Sequence, residues 1–162
     1  MGAHARLVAV GEEMVRVHRW LRGELAALSA DLDADLAERP RQLAAHCLSF
    51  CSAVGRHHRG EDAGAFPALR AEFPELAPIV TKLEEDHELV AGLLQQLAAL
   101  VEGIPAEPTD ADARRIRAEL GGLAAILESH FTFEERRIVD ALNALPPAAG
   151  SAQDLLGVTA PD

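Results

Sequence analysis

The sequence has no tyrosine, one tryptophan and five phenylalanines in 162 residues, so a phenolate ligand or a tyrosyl radical is excluded. Basic residues are scarce too: 15 Lys and Arg stand against 26 Asp and Glu, a formal net charge of -11. That balance argues against a nucleic-acid partner and against attachment to an anionic membrane. No apolar run is long enough to span a bilayer, and Met1 to Met14 hold no continuous apolar stretch of the secretory kind. Gly2 follows Met1, but Arg6 stands where a myristoylation signal has Ser or Thr. The expected compartment is the cytoplasm. Cysteine is limited to Cys47 and Cys51, one helical turn apart, a spacing that matches no zinc motif and makes an awkward intrahelical disulfide. They read as reduced core residues.

Strand signals are also missing. The 49% of hydrophobic residues is rich in Leu and Ala, without alternating Val, Ile or Thr runs, which points to an all-α chain of one domain. Four seams of apolar residues in steps of three and four support this. Helix 1 is expected from about His4 to Leu36, with Leu7, Val10, Met14, Leu21, Leu25, Leu28 and Leu32 inward. Arg39-Pro40 marks the first turn, and helix 2 follows with Leu43, Cys47, Phe50 and Val54. Gly60 and Gly64 are expected to weaken the end of helix 2, and Phe66-Pro67, Phe73-Pro74 and Pro78 to close it. Helix 3 begins near Ala77 with Leu83, Val90, Leu94, Leu97 and Val101 inward. Gly103, Pro105 and Pro108 break the chain, and Thr109 with Asp112 caps helix 4, whose seam is Ile116, Leu120, Leu123, Leu127, Ile138 and Leu142. The spacing predicts an up-down-up-down antiparallel four-helix bundle over residues 1–145. Residues 146–162, opening on Pro146-Pro147-Ala148-Ala149-Gly150-Ser151, are expected to be a flexible or loosely docked tail.

Polar residues interrupt each seam at one level. His18 shares the inward position with Val17 in helix 1; His57 and Glu61 continue the seam of helix 2, His87 that of helix 3, and His130 and Glu134 that of helix 4. At ~1.5 Å per residue, His18 and His57 are about equally far from the first turn, and His57 and His87 about equally far from the second. His87 and His130 differ by ~7 Å at that rise, an offset a slightly unsymmetrical loop absorbs. Two ionised acids buried without a cationic partner would be very costly, so a metal is the expected partner. Imidazole with carboxylate and no thiolate suits iron, manganese or zinc, and in a bundle core this donor set is characteristic of a non-haem di-iron centre. The expected ligands are His18, His57, Glu61, His87, His130 and Glu134. Glu61 and Glu134 would each bridge two metals, leaving positions for water or a substrate. His58 and Asp62 share the i,i+4 spacing and are the alternative to His57 and Glu61. His46, Asp86 and Glu135 are candidates for outer positions that orient the ligands.

These features resemble the hemerythrin-like family, also called the HHE cation-binding domain. The matching elements are His18, His57-x-x-x-Glu61-Asp62 followed by Phe66-Pro67, Glu85-Asp86-His87, and His130-x-x-x-Glu134-Glu135, spanning roughly residues 10 to 142. The resemblance implies an up-down four-helix bundle, two non-haem iron ions with a solvent-derived bridge, and binding or reaction of O2, nitric oxide or peroxide there; manganese or zinc is less favoured. It also marks a departure. The family's oxygen carriers have His-x-x-x-His in helix 3, where this chain has Leu83 four residues before His87, so one imidazole fewer is expected. Such a site resembles iron-responsive members more than carriers. The leading reading is a di-iron protein that binds, senses or reacts with a small oxidant. The alternatives are a di-iron enzyme decomposing peroxide or nitric oxide, and a metal-free helical interaction module.

Overall fold

A computed structural model describes residues 9–162 of the chain. All regular structure among them is helical: α1 (Val10–Ala30), α2 (Leu32–Glu38), α3 (Pro40–Gly60), α4 (Phe66–Glu72), α5 (Ala77–Glu102), α6 (Asp110–Ala144) and α7 (Ala152–Leu156). The expected all-α bundle is the observed one. α1 packs against α6 and α3, and α5 packs against α6 and α3, so the four long helices close a ring around a common interior. The outer part of the first expected helix, including His4 and Leu7, lies outside the described residues.

Two boundaries differ from the sequence reading. The first helix is interrupted at Asp31, whose φ of -98° and ψ of 4° interrupt the helical geometry while its N–H still donates to the Ala27 carbonyl. Leu32 and Leu36 nevertheless stay buried, so α2 continues the same apolar stripe. The second helix does not close at its glycines. After Gly60 it passes through a π-helical turn, Glu61–Ala65, directly into α4. Pro67 sits in the first turn of α4, where a missing N–H is tolerated. A π turn inside an α-helix recurs at functional sites, and this one carries Glu61.

α6 starts as its sequence indicates. Thr109 Oγ1 accepts from the Asp112 N–H at 3.3 Å, and the Thr109 N–H donates to Asp112 Oδ2 at 2.8 Å. His87 lies fifteen residues before the end of α5 and His130 twenty after the start of α6. The connection 103–109 takes up that difference.

The interior has two apolar compartments. One contains Leu21, Leu28, Leu43, Phe50, Leu97, Ile116, Leu123 and Leu127; the other contains Val10, Met14, Phe66, Leu69, Val80, Leu83, Ile138 and Leu142. Between them lies a polar layer of His18, His57, His58, Glu61, His87, His130 and Glu134, all buried. Cys47 and Cys51 belong to or border the first compartment as free thiols, and burial pushes them up to about 12 and about 11. Reactive thiolate chemistry at neutral pH is thereby disfavoured. Among the described residues no helix is long and apolar enough to cross a membrane.

Residues from Pro146 onward pack on the bundle. Leu155 and Leu156 are buried in the second compartment and Val158 in the first. Ser151 caps α7 by accepting from the Asp154 N–H at 3.1 Å. A short apolar pair, too brief to signal a helix by periodicity, is enough to anchor the segment once the bundle offers it a groove.

Candidate metal centre

Five imidazoles and two carboxylates fill the polar layer, and they fall into two groups. The ligand-type atoms of His18, His57, Glu61 and Glu134 lie within 4.8 Å of one another, as do those of His58, His87 and His130. His18 Nε2 approaches His57 Nε2 at 3.2 Å, and His87 Nε2 approaches His130 Nε2 at 3.2 Å. The depth matching expected from helix length is therefore met across both helix pairs.

The choice between His57 with Glu61 and His58 with Asp62 dissolves in the structure. Neighbouring residues on an α-helix point about 100° apart, and α3 uses that angle to address both groups. His57 turns toward His18 of α1, whereas His58 stacks on the His87 ring of α5, with centroids 3.8 Å apart and planes 6° apart. Asp62 stays at the rim, its side chain 41% exposed, and accepts from His87 Nδ1 at 2.8 Å. His58 also corrects the expected shortage of imidazole: the layer has a fifth ring, supplied by α3 rather than by position 83. Leu83 is fully buried in the apolar compartment.

The carboxylates face both groups. Glu134 Oε1 lies 3.4 Å from His18 Nε2, and its Oε2 lies 3.1 Å from His130 Nε2. Glu61 Oε1 lies 3.3 Å from His57 Nε2 and 3.6 Å from His87 Nε2. These contacts lack the alignment of hydrogen bonds, and all four carboxylate oxygens, with His58 Nε2 and His18 Nδ1, are buried without a hydrogen-bond partner. Orphaned buried acceptors of this kind are rare and costly. Burial, reinforced by Glu134 next to it, pushes the Glu61 carboxyl well above the usual range. Burial pushes Glu134 up as well, but the surrounding His130, His18 and His87 outweigh it and hold it well below. Burial and the neighbouring His18 push His57 down to about 3. Imidazoles crowding two carboxylates are a cation's donor set, and a bound cation would be the largest local charge and would favour the ionised acids.

Most outward ring nitrogens are met by an acceptor. Besides Asp62 on His87, Asp86 Oδ2 lies 3.2 Å from His130 Nδ1 and the Leu156 carbonyl lies 2.8 Å from His57 Nδ1, whereas Glu135 Oε2 stands 3.5 Å from His18 Nδ1 without the alignment of a hydrogen bond. Acceptors placed so hold the proton on Nδ1 and leave Nε2 free as a donor to metal. Glu135 is itself gripped by Arg22, at 2.8 Å and 3.1 Å, and the His18 and Arg22 contacts outweigh burial to hold it down to about 2. Asp86, although adjacent to His87 in sequence, reaches His130. His46 has no place near the layer: it pairs with Glu24 at 2.7 Å on the outer face of α1 and α3. Arg22, Leu156 and Phe131, which stacks on His18 with centroids 4.1 Å apart, were not singled out from sequence. Glu135, the residue directly after the His130-x-x-x-Glu134 run, was the only signal toward Arg22.

Comparison with curated proteins and with solved structures returned no significant match. The sequence model of the hemerythrin HHE cation binding domain matches residues 10–142, which include every histidine and carboxylate of the layer. By that match over most of its length, and with a buried His/Glu cluster fit for a cation, the chain belongs to the hemerythrin HHE cation-binding domain family.

Proposed function

We propose that the layer holds two iron ions and that the protein binds, senses or reacts with a small oxidant there. In this reading His18, His57, Glu61 and Glu134 face one ion, and His58, His87 and His130 face the other. Glu134 carries the proposal: its two oxygens point into different groups, 3.4 Å from His18 Nε2 and 3.1 Å from His130 Nε2, as a carboxylate shared between two cations requires. Nitrogen and oxygen donors without thiolate favour iron, with manganese or zinc as competitors. Iron, when bound, supplies electron exchange with O2, nitric oxide or peroxide.

The chain's own residues decide what can arrive. A pocket of about 160 Å³ lined by Gly55, His58, Arg59, Asp62 and His87 reaches the three-histidine group from the α3/α5 side. A pocket of that size has room for water-sized molecules. Arg59 and Asp62 line its mouth, while Phe66 and Phe131 wall the layer with apolar rings. Small diatomics and peroxide fit this opening. The metal-free interaction module is disfavoured by the same two carboxylates, which would have no partner in it.

The test is to mix anaerobically prepared ferrous protein with O2, nitric oxide and hydrogen peroxide separately and follow absorption by stopped flow. A rapid spectral change with at least one of them is expected. Unaltered spectra with all three, in protein shown to contain iron, would contradict the reading.

A further inference from the structure

Two of the five rings in the layer are hydrogen-bonded on their outer side by a carboxylate, but His57 is met by backbone. Its Nδ1 lies 2.8 Å from the carbonyl of Leu156, ninety-nine residues on. A carbonyl can only accept, so Nδ1 carries the proton and the Nε2 lone pair points into the layer, toward Glu61 Oε1 at 3.3 Å. Without that acceptor, the ring is free to take the other tautomer, which turns an N–H inward where a donor lone pair is needed.

The segment bringing Leu156 there is seated by a close backbone crossing. Cβ atoms at Gly60 or Gly64, on the π-turn side of α3, would run into the backbone of Gly157 and of Asp154 and Leu155 respectively. Gly157 has φ of 76°, and a Cβ there would strike the Arg56 carbonyl. Three glycines thus permit an approach that any side chain would prevent. Beyond the crossing, the Ala160 N–H donates to Glu13 Oε1 at 2.8 Å. The glycines that looked like helix breakers in the sequence are a docking face.

We propose that residues 151–160 are a working part of the metal centre, with the Leu156 carbonyl as the positioning group for His57. Resting on the metal-binding reading above, this makes docking of the segment and occupancy of the His18/His57/Glu61/Glu134 group thermodynamically linked. Each stabilises the other by the same factor. The segment's hydrogen bond to the layer goes to His57, so its effect falls first on that group and reaches the three-histidine group only through the shared Glu61 and Glu134.

The test uses the full chain and ferrous iron under anaerobic conditions. Hydrogen exchange at Leu156 to Ala160 is expected to slow on iron addition. Gly60→Ala, which favours the helix but expels the segment, and Gly157→Ala are each expected to weaken iron binding at the His18/His57/Glu61/Glu134 group by about 10–100-fold, the usual consequence of losing a ligand's orienting partner, and to weaken the three-histidine group less. The His57 Nδ1 nitrogen resonance should shift toward the unprotonated position in both. Circular dichroism establishes that the variants fold, and if one does not, the other variant and the exchange of the wild-type chain decide. Wild-type protein that binds two irons with unchanged exchange in the segment, or variants that bind both as tightly, would overturn the linkage alone. Wild-type protein that takes up no iron would overturn the metal reading and this inference with it.

Discussion

Glu61 and Glu134 are the residues whose placement is hardest to explain by packing. Both are fully buried, and no hydrogen bond reaches either. In the metal-free protein burial and the neighbouring Glu134 push the Glu61 carboxyl well above the usual carboxylate range. Its folded-state pKa is raised above the unfolded value, so the stability associated with the carboxyl is fully present below about 4.5 and falls as pH rises through the raised value. Glu61→Leu should therefore stabilise the metal-free chain at neutral pH, by ~1–3 kcal/mol, the usual cost of an unsatisfied buried polar group. The gain should shrink toward pH 4, and metal binding should be lost. Chemical denaturation of wild type and variant at pH 4 and pH 7 checks this; a destabilised variant at neutral pH would mean the carboxyl has a protein partner. At this scale the sequence was legible where spacing alone decides. His18, His57, His87 and His130 all fall on apolar seams and all reach the layer. His58 was not, because two adjacent positions 100° apart can both be inward only when the surface they face is wide, and the seam pattern does not report width.

The helices are legible to differing degrees, for reasons that lie in their ends. α6 announces its start through Thr109 and Asp112, whose reciprocal bonds both form. Thr109→Ala should cost about 1 kcal/mol, the usual value for an N-cap, and leave metal stoichiometry unchanged, since the cap lies twenty-one residues from His130. Thermal melting and metal analysis of the same preparation test both halves. α3 gave the opposite lesson. Gly60 and Gly64 read as a helix end, yet the backbone runs on through a π turn because the glycines serve a neighbour in space rather than their own helix. The break at Asp31 left no mark in the pattern either, since Leu32 and Leu36 keep the stripe of α1 across it. The segment from Ser151 was hidden for a related reason: Leu155 and Leu156 are too few to show a period, and their burial depends on a groove formed by residues far away.

For the whole molecule, the polar layer divides one interior into two apolar compartments, and the long helices all contribute to it. A cation there ties four helices together at the level where apolar packing is interrupted, so metal binding and folding are coupled. The net charge of -11 leaves the chain with an acidic exterior, and the two buried acids are distinguished from it by having no solvent. The account predicts a bundle that folds around its ions. The measurement that bears on it most directly is the metal content of protein produced with iron, taken together with its absorption spectrum. Close to two irons per chain, with charge-transfer absorption in the near ultraviolet that disappears on chelation, is the predicted result. Purified, folded protein with no metal, or with a single zinc ion per chain, would contradict it.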